Sequence, residues 1–160
     1  TITDNGFDNV NFMISTNPGE PVRPLNKVAS GGELSRIMLA IKSILASEDE
    51  IDTLIFDEID TGISGKTATM VAEKMANISR HHQVICISHL SQIAAMADNH
   101  YLMEKKLENN STITNIKKLS GDESIEELVR INGDGTVSEA AISHAKEMKE
   151  MAERTKSYLI

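Results

Sequence analysis

The chain has 160 residues, 40% of them apolar, and a formal net charge of −8, which is enough apolar content for one packed domain. The acidic balance excludes a strongly basic nucleic-acid clamp over the chain as a whole. An aromatic share of 3% with no Trp excludes a base-stacking platform and makes the core aliphatic.

Residues 10–15 alternate weakly and read as a strand. Pro18, Pro21 and Pro24, all within residues 17–24, mark a loop, because proline neither donates to a ladder nor sits inside a helix. Ser30 and Glu33 fit a capping box. Behind them Leu34, Ile37, Met38, Ile41 and Leu45 share one helical face. The acidic turn Glu48-Asp49-Glu50 leads into an apolar run over residues 53–56 that reads as a fully buried strand, with Asp57 and Glu58 at its end. A loop over residues 59–65 precedes a helix over about 66–80. A second buried strand spans 84–88 and ends at His89.

A short helix near 91–97 follows, then strands over 101–104 and 112–118, with Glu108-Asn109-Asn110-Ser111 as the hairpin turn. Ser120 and Glu123 suggest a second capping box opening a helix to about 131, which Gly133-Asp134-Gly135 breaks. Ser138 then caps a last helix reaching about 158. The order predicts an α/β fold: a mostly parallel sheet flanked by helices, with an antiparallel hairpin at its edge.

The single cysteine, Cys86, excludes an intrachain disulfide and a cysteine-built zinc cage, and reads as a small core residue. Met70, Met75, Met96, Met148 and Met151 read as core filler, and His81-His82 as a solvated helix end. No apolar run approaches the roughly 20 residues needed to span a bilayer. The opening residues carry neither the basic nor the apolar region of a secretory signal. The expectation is a soluble domain of a reducing compartment.

Two adjacent carboxylates where a strand meets a loop suit a metal-nucleotide site, since ligands of open α/β sheets bind outside the carboxyl ends of strands. Asp57 could hold Mg²⁺, a hard cation that takes oxygen ligands, and Glu58 could orient a water toward a phosphate. A solvated strand end is the plain alternative. His89 could hydrogen-bond a terminal phosphate oxygen, or serve the structure only. Ser30, Gly31, Gly32 and Glu33 could bring helix N–H groups to an anion, or form an ordinary capped start. Gly65-Lys66-Thr67 has the context of a P-loop but lacks its first glycine, the position being Asp60.

In combination the motifs say more. Ala29-Ser30-Gly31-Gly32-Glu33, then residues 53–58 ending in Asp57-Glu58, then Gly62-Ile63-Ser64-Gly65, then His89, resemble in order and spacing the signature motif, Walker B, D-loop and H-loop of ABC-type ATPase heads. Asn17-Pro18-Gly19-Glu20-Pro21, Ser30 to Arg36, Phe56 to Gly65 and His144-Ala145-Lys146 narrow the resemblance to RecN-type DNA-repair ATPases, which are SMC-like.

The resemblance covers almost the whole chain. It implies a partial P-loop NTPase lobe, the C-terminal lobe of a head, whose Walker A lobe and coiled coil lie outside the chain. It implies ATP and Mg²⁺ as cofactors, with Asp57 helping to hold the metal, Glu58 as the catalytic carboxylate and His89 sensing the γ-phosphate. Ser30, Gly31 and Gly32, with Glu33 beside them, would meet the γ-phosphate of ATP held by an opposing head. Ser64 stands where many relatives carry an Asp.

The implied partners are a second head, the N-terminal lobe of the same head and, through the full-length protein, DNA in double-strand break repair and recombination. The implied location is the cytoplasm, at the nucleoid. Lacking Walker A, these 160 residues alone should hydrolyse ATP poorly. The alternative function is a non-catalytic interaction domain that keeps the fold.

Overall fold

The computed structural model describes residues 4, 6–8, 10–15, 18–27, 30–46, 50–108, 111–133 and 137–158. Two short strands, β1 (Met13–Ile14) and β2 (Arg23–Pro24), pair antiparallel, and a 3-10 turn, Leu25–Lys27, follows. Helix α1 (Gly31–Leu45) leads to β3 (Thr53–Phe56), α2 (Gly65–Ile78), β4 (Gln83–Cys86) and the short α3 (Ser91–Met96). The hairpin β5 (Tyr101–Glu108) and β6 (Ser111–Lys118) precedes α4 (Gly121–Asn132) and α5 (Glu139–Tyr158).

Local chemistry accounts for the helix starts. Ser30 and Ser120 each close a capping box with Glu33 and Glu123, so two otherwise unpaired N–H groups are satisfied at each end. The Ala141 N–H donates to Ser138 Oγ at 3.1 Å at the start of α5. Several expected features involve residues outside those described: Asn17 in the proline loop, Ala29 before the capped helix, Glu48 and Asp49 in the acidic turn, Asn109 and Asn110 in the hairpin turn, and the Asp134-Gly135 break.

The framework is the parallel pair β3–β4, in which Thr53 lies opposite Gln83 and Phe56 opposite Cys86. Leu54 and Phe56 pack with Leu39 of α1, Val71, Met75 and Ile78 of α2, and Ile93 of α3. A second cluster joins Ala95, Leu128, Val129 and Ala145 across α3, α4 and α5. The strands were expected to be buried on both faces, and they are buried on one. Ile55 is 67% exposed, and Ile85 and Ile87 are exposed beside it, because the described helices cover only the Leu54–Phe56 face. The same asymmetry leaves Leu34, Met38 and Leu45 of α1 exposed, although they share the expected apolar face.

The hairpin forms with strands longer than the sequence indicated. It makes its own two-stranded antiparallel sheet and no ladder with β3–β4. Helix α3 carries the chain off the β4 edge and packs against α2, α4 and α5, so among the described residues β5 pairs only with β6.

Three further expectations change. Pro24 belongs to a strand, at an open edge where its missing N–H is harmless. Met70 and Met151 lie on solvent faces, whereas Met75, Met96 and Met148 pack in or against the clusters. His82 is buried, not solvated: its Nδ1 and Nε2 lie 2.6 and 3.0 Å from the carbonyl oxygens of Ile51 and Ala46, so the ring ties the end of α1 and the approach to β3 to the end of α2.

Ile78 is fully buried while Met70, on the same helix, is 56% exposed. Ile78→Ala is expected to cost about 2–5 kcal/mol and Met70→Ala to stay within about 0.5 kcal/mol, both read from equilibrium urea unfolding.

Candidate functional site

The site is built where three chain segments meet: the start of α1, the turn after β3, and the turn after β4. Ser35 Oγ donates to the Asp57 carbonyl at 2.9 Å, and Arg36 Nη1 donates to the carbonyls of Ile59 and Thr61, each at 2.9 Å. Helix α1 thus holds the turn that carries the two carboxylates. At Gly32 the contact is close enough to require glycine: a Cβ there would lie 2.7 Å from the Glu58 carbonyl oxygen and 3.0 Å from Thr61 Cβ. A Cβ on Gly31 would meet only the exposed Glu58 carboxylate, which can swing away.

Glu58 has φ +57°, the only positive φ outside glycine among the described residues. An L-residue adopts that conformation at a cost, and such strain gathers at functional sites. The turn is held by the Glu58 N–H donating to Asp57 Oδ1 at 2.9 Å and the Thr61 N–H donating to the Glu58 carbonyl at 3.0 Å. Both side chains remain exposed.

His89 enters through Asp60. Oδ2 of Asp60 accepts from Ser88 Oγ at 2.7 Å and from the His89 N–H at 2.8 Å, and lies 2.9 Å from His89 Nδ1. Asp60 is 3% exposed. Burial pushes its pKa up, but the Ser88 hydroxyl, the His89 N–H and the imidazole outweigh that and hold it below 3.8. The Cys86 thiol is pushed up to about 12 by burial and by the nearby Asp60 and Asp57 carboxylates. It is a packed, unreactive group.

The site residues expected from the sequence are Ser30, Gly31, Gly32, Glu33, Asp57, Glu58 and His89. The structure gathers the α1 start against the Asp57-Glu58 turn and ties that turn to His89 through Asp60. Ser30 and Glu33 are engaged with each other: the Ser30 N–H donates to Glu33 Oε2 at 2.9 Å and the Glu33 N–H to Ser30 Oγ at 3.3 Å. That leaves the Ser30 hydroxyl hydrogen free to donate elsewhere. Lys66 and Thr67 are exposed at the start of α2. The residues missed were Ser35, Arg36, Asp60 and Ser88, which act on backbone or on one another across 22 to 29 residues of sequence.

Among the described residues no group of three or more His, Cys, Asp or Glu side chains is placed to cage a metal ion. One exposed carboxylate still suits Mg²⁺, which keeps several waters and takes few protein ligands beside substrate phosphates. Asp57 fits that role, with Oδ1 anchored by a backbone N–H.

Two tests follow from the packing. Gly32→Ala should push α1 from the Glu58 turn and cost about 1–3 kcal/mol, whereas Gly121→Ala, with nothing within 4 Å of the added Cβ, should be neutral or stabilise by up to about 1 kcal/mol. Because the folded-state pKa of Asp60 is lowered, its contribution is present above the unfolded value and is lost as pH falls through the folded one. The stability margin of the parent over Asp60→Asn should therefore be full at about pH 6 and shrink below pH 3.8 in urea unfolding.

No protein-family model matches the chain. It is 48% identical to the DNA repair protein RecN of Bacillus subtilis over 156 residues, which are 98% of this chain and 27% of that protein. It is 48% identical to RecN of Treponema pallidum over 89% of this chain and 25% of that protein, and 41% identical to RecN of Streptomyces coelicolor over 92% and 26%. The chain thus spans about a quarter of the length of the curated relatives it matches. A solved chain from structural biochemistry of ATP-driven dimerization and DNA stimulated activation of SMC ATPases superposes with a TM-score of 0.49 at 18% identity, covering 76% of this chain and 80% of that one. At 41% to 48% identity along nearly its whole length, the chain belongs to the RecN family of DNA repair proteins.

Proposed function

We propose that the chain is the C-terminal lobe of an SMC-like ATPase head, and that the longer protein uses it to bind and hydrolyse ATP between two paired heads during repair and recombination of broken DNA. The observation that carries this reading is the convergence at one edge of the start of α1, the strained Glu58 turn after β3, and His89 after β4.

The parts have distinct tasks. Asp57 would hold Mg²⁺, which supplies charge neutralisation on the phosphates. Glu58, exposed beside it, would accept the proton of the attacking water. His89 would donate from its ring to a γ-phosphate oxygen. The free N–H groups at Gly31 and Gly32, with the Ser30 hydroxyl, would contact the γ-phosphate of ATP held by the opposing head, where the helix dipole favours an anion. Glu33 would serve that contact by holding Ser30. In this chain the same glycines pack on the Glu58 turn, so in this reading that packing sets the position from which the start of α1 reaches toward the opposing head.

The phosphate cradle GxxxxGK[ST] does not occur in these 160 residues. The preceding part of the longer protein would supply it as an N-terminal lobe. That lobe would cover the bare face of β3–β4 at Ile55, Ile85 and Ile87 and the exposed Leu34 and Met38 of α1. Contact with DNA would fall to other parts of the protein, given the charge of −8 here. No helix among the described residues is long and apolar enough to cross a membrane, in keeping with action in the cytoplasm, at the nucleoid.

Glu58→Gln tests the assignment in the complete protein, because glutamine keeps the shape and removes the base. ATP should still bind and hold the heads together, while turnover falls on the order of 100-fold or more. Turnover at the parent rate would reject the role and favour a non-catalytic interaction domain.

A further inference from the structure

We propose that Asp60 is a positioning residue for the proposed hydrolytic reaction, holding His89 by Nδ1 so that Nε2 is the ring atom offered to the terminal phosphate. The inference rests on the phosphate-binding role given to His89 above. The side chain of His89 is 74% exposed, so burial does not hold the ring. What holds it is Asp60 Oδ2 at 2.9 Å from Nδ1, and that carboxylate is itself buried at 3% exposure.

An ionised carboxylate in such a place is costly unless hydrogen bonds compensate it. The Ser88 hydroxyl and the His89 N–H already do so at 2.7 and 2.8 Å on the same oxygen. The carboxylate is thereby held by two contacts that do not involve the ring, and the ring aligns to it.

The chemistry then follows from the inventory of donors. An ionised carboxylate only accepts, so its approach to Nδ1 favours the tautomer with the hydrogen on Nδ1. The neutral ring keeps its lone pair on Nε2, across the ring from Asp60. When Nε2 gains a proton it becomes a charged donor suited to a phosphoryl oxygen, and the positive charge rests beside the Asp60 carboxylate. Without Asp60 the neutral ring is free to place its hydrogen on Nε2 and to rotate. Asp60 also lies two residues after Glu58, on the turn that Arg36 clamps through Ile59 and Thr61, so the grip on His89 and the placement of Glu58 share one support.

The test has two arms. In the ¹⁵N-labelled chain, held above the pH at which the ring protonates, long-range ¹H–¹⁵N correlations report the tautomer, with His89 assigned by His89→Gln. The parent and Ser88→Ala should give the Nδ1–H form at His89, and Asp60→Ala should lose it. An Nε2–H form in the parent overturns the proposal whether or not Asp60→Ala folds, and so does an unchanged Nδ1–H form in folded Asp60→Ala.

In the complete RecN-type protein, Asp60→Asn should lower kcat on the order of 10- to 100-fold with little change in KM for ATP. Parent-like kcat there overturns the proposal. Full turnover in His89→Ala overturns it through the site reading, and an intact tautomer signature would identify that as the cause.

Discussion

One oxygen, Oδ2 of Asp60, ties together the turns that follow the two parallel strands. It takes hydrogens from Ser88 and from the His89 backbone and meets the His89 ring. Its burial makes each donor matter, because losing one leaves a charge out of water with less compensation. The parallel register makes the contact possible. Phe56 lies opposite Cys86, and the Ile87 N–H still donates to the Phe56 carbonyl at 3.0 Å, so the two chains leave the sheet side by side. Asp60 and His89 come within reach only because that pairing holds.

Helix α1 provides the second support. Its first turn is pressed onto the Glu58 turn so closely that Gly32 has no room for a Cβ, and Ser35 and Arg36 fasten it to three backbone carbonyls. The capping box at Ser30 and Glu33 fixes where the helix begins, and so where its free N–H groups lie. A conformation that an L-residue adopts reluctantly at Glu58 is thereby over-determined by its neighbours, as stored strain must be. The packing that explains the glycines inside one chain is compatible with a phosphate role between two chains, since both need backbone that an anion can approach closely.

Much of this was legible in the sequence because the signals are local. Capping boxes at Ser30 and Ser120, the cap at Ser138, the apolar runs of β3 and β4, and the carboxylates and histidine at their ends all depend on neighbours within a few residues. Other features depend on what lies across the fold. Period and composition marked Ile55, Ile85 and Leu34 as apolar, but could not say that one face of the sheet is left bare. Met70 and Met75 look alike in sequence and differ because five residues turn a helix from one face to the other. His82 looked like a polar helix end until the carbonyls of Ala46 and Ile51 came to it. Asp60 drew notice only as a departure from a P-loop, because its partners lie 28 and 29 residues on and emerge only from the β3–β4 register.

In the proposed function the complete site forms between two heads, with the carboxylates and His89 of one and the α1 start of the other. Mixing in the full-length protein tests it directly. Ser30→Arg blocks the α1 start and Glu58→Gln removes the base, so each variant alone should be inactive. A mixed pair would hold one site with both defects and one with neither. With random pairing, ATP turnover of the equimolar mixture should recover to about a quarter of the parental rate. A mixture no more active than either variant alone would mean that the carboxylates and the α1 start of one head serve the same site, against a site shared between heads.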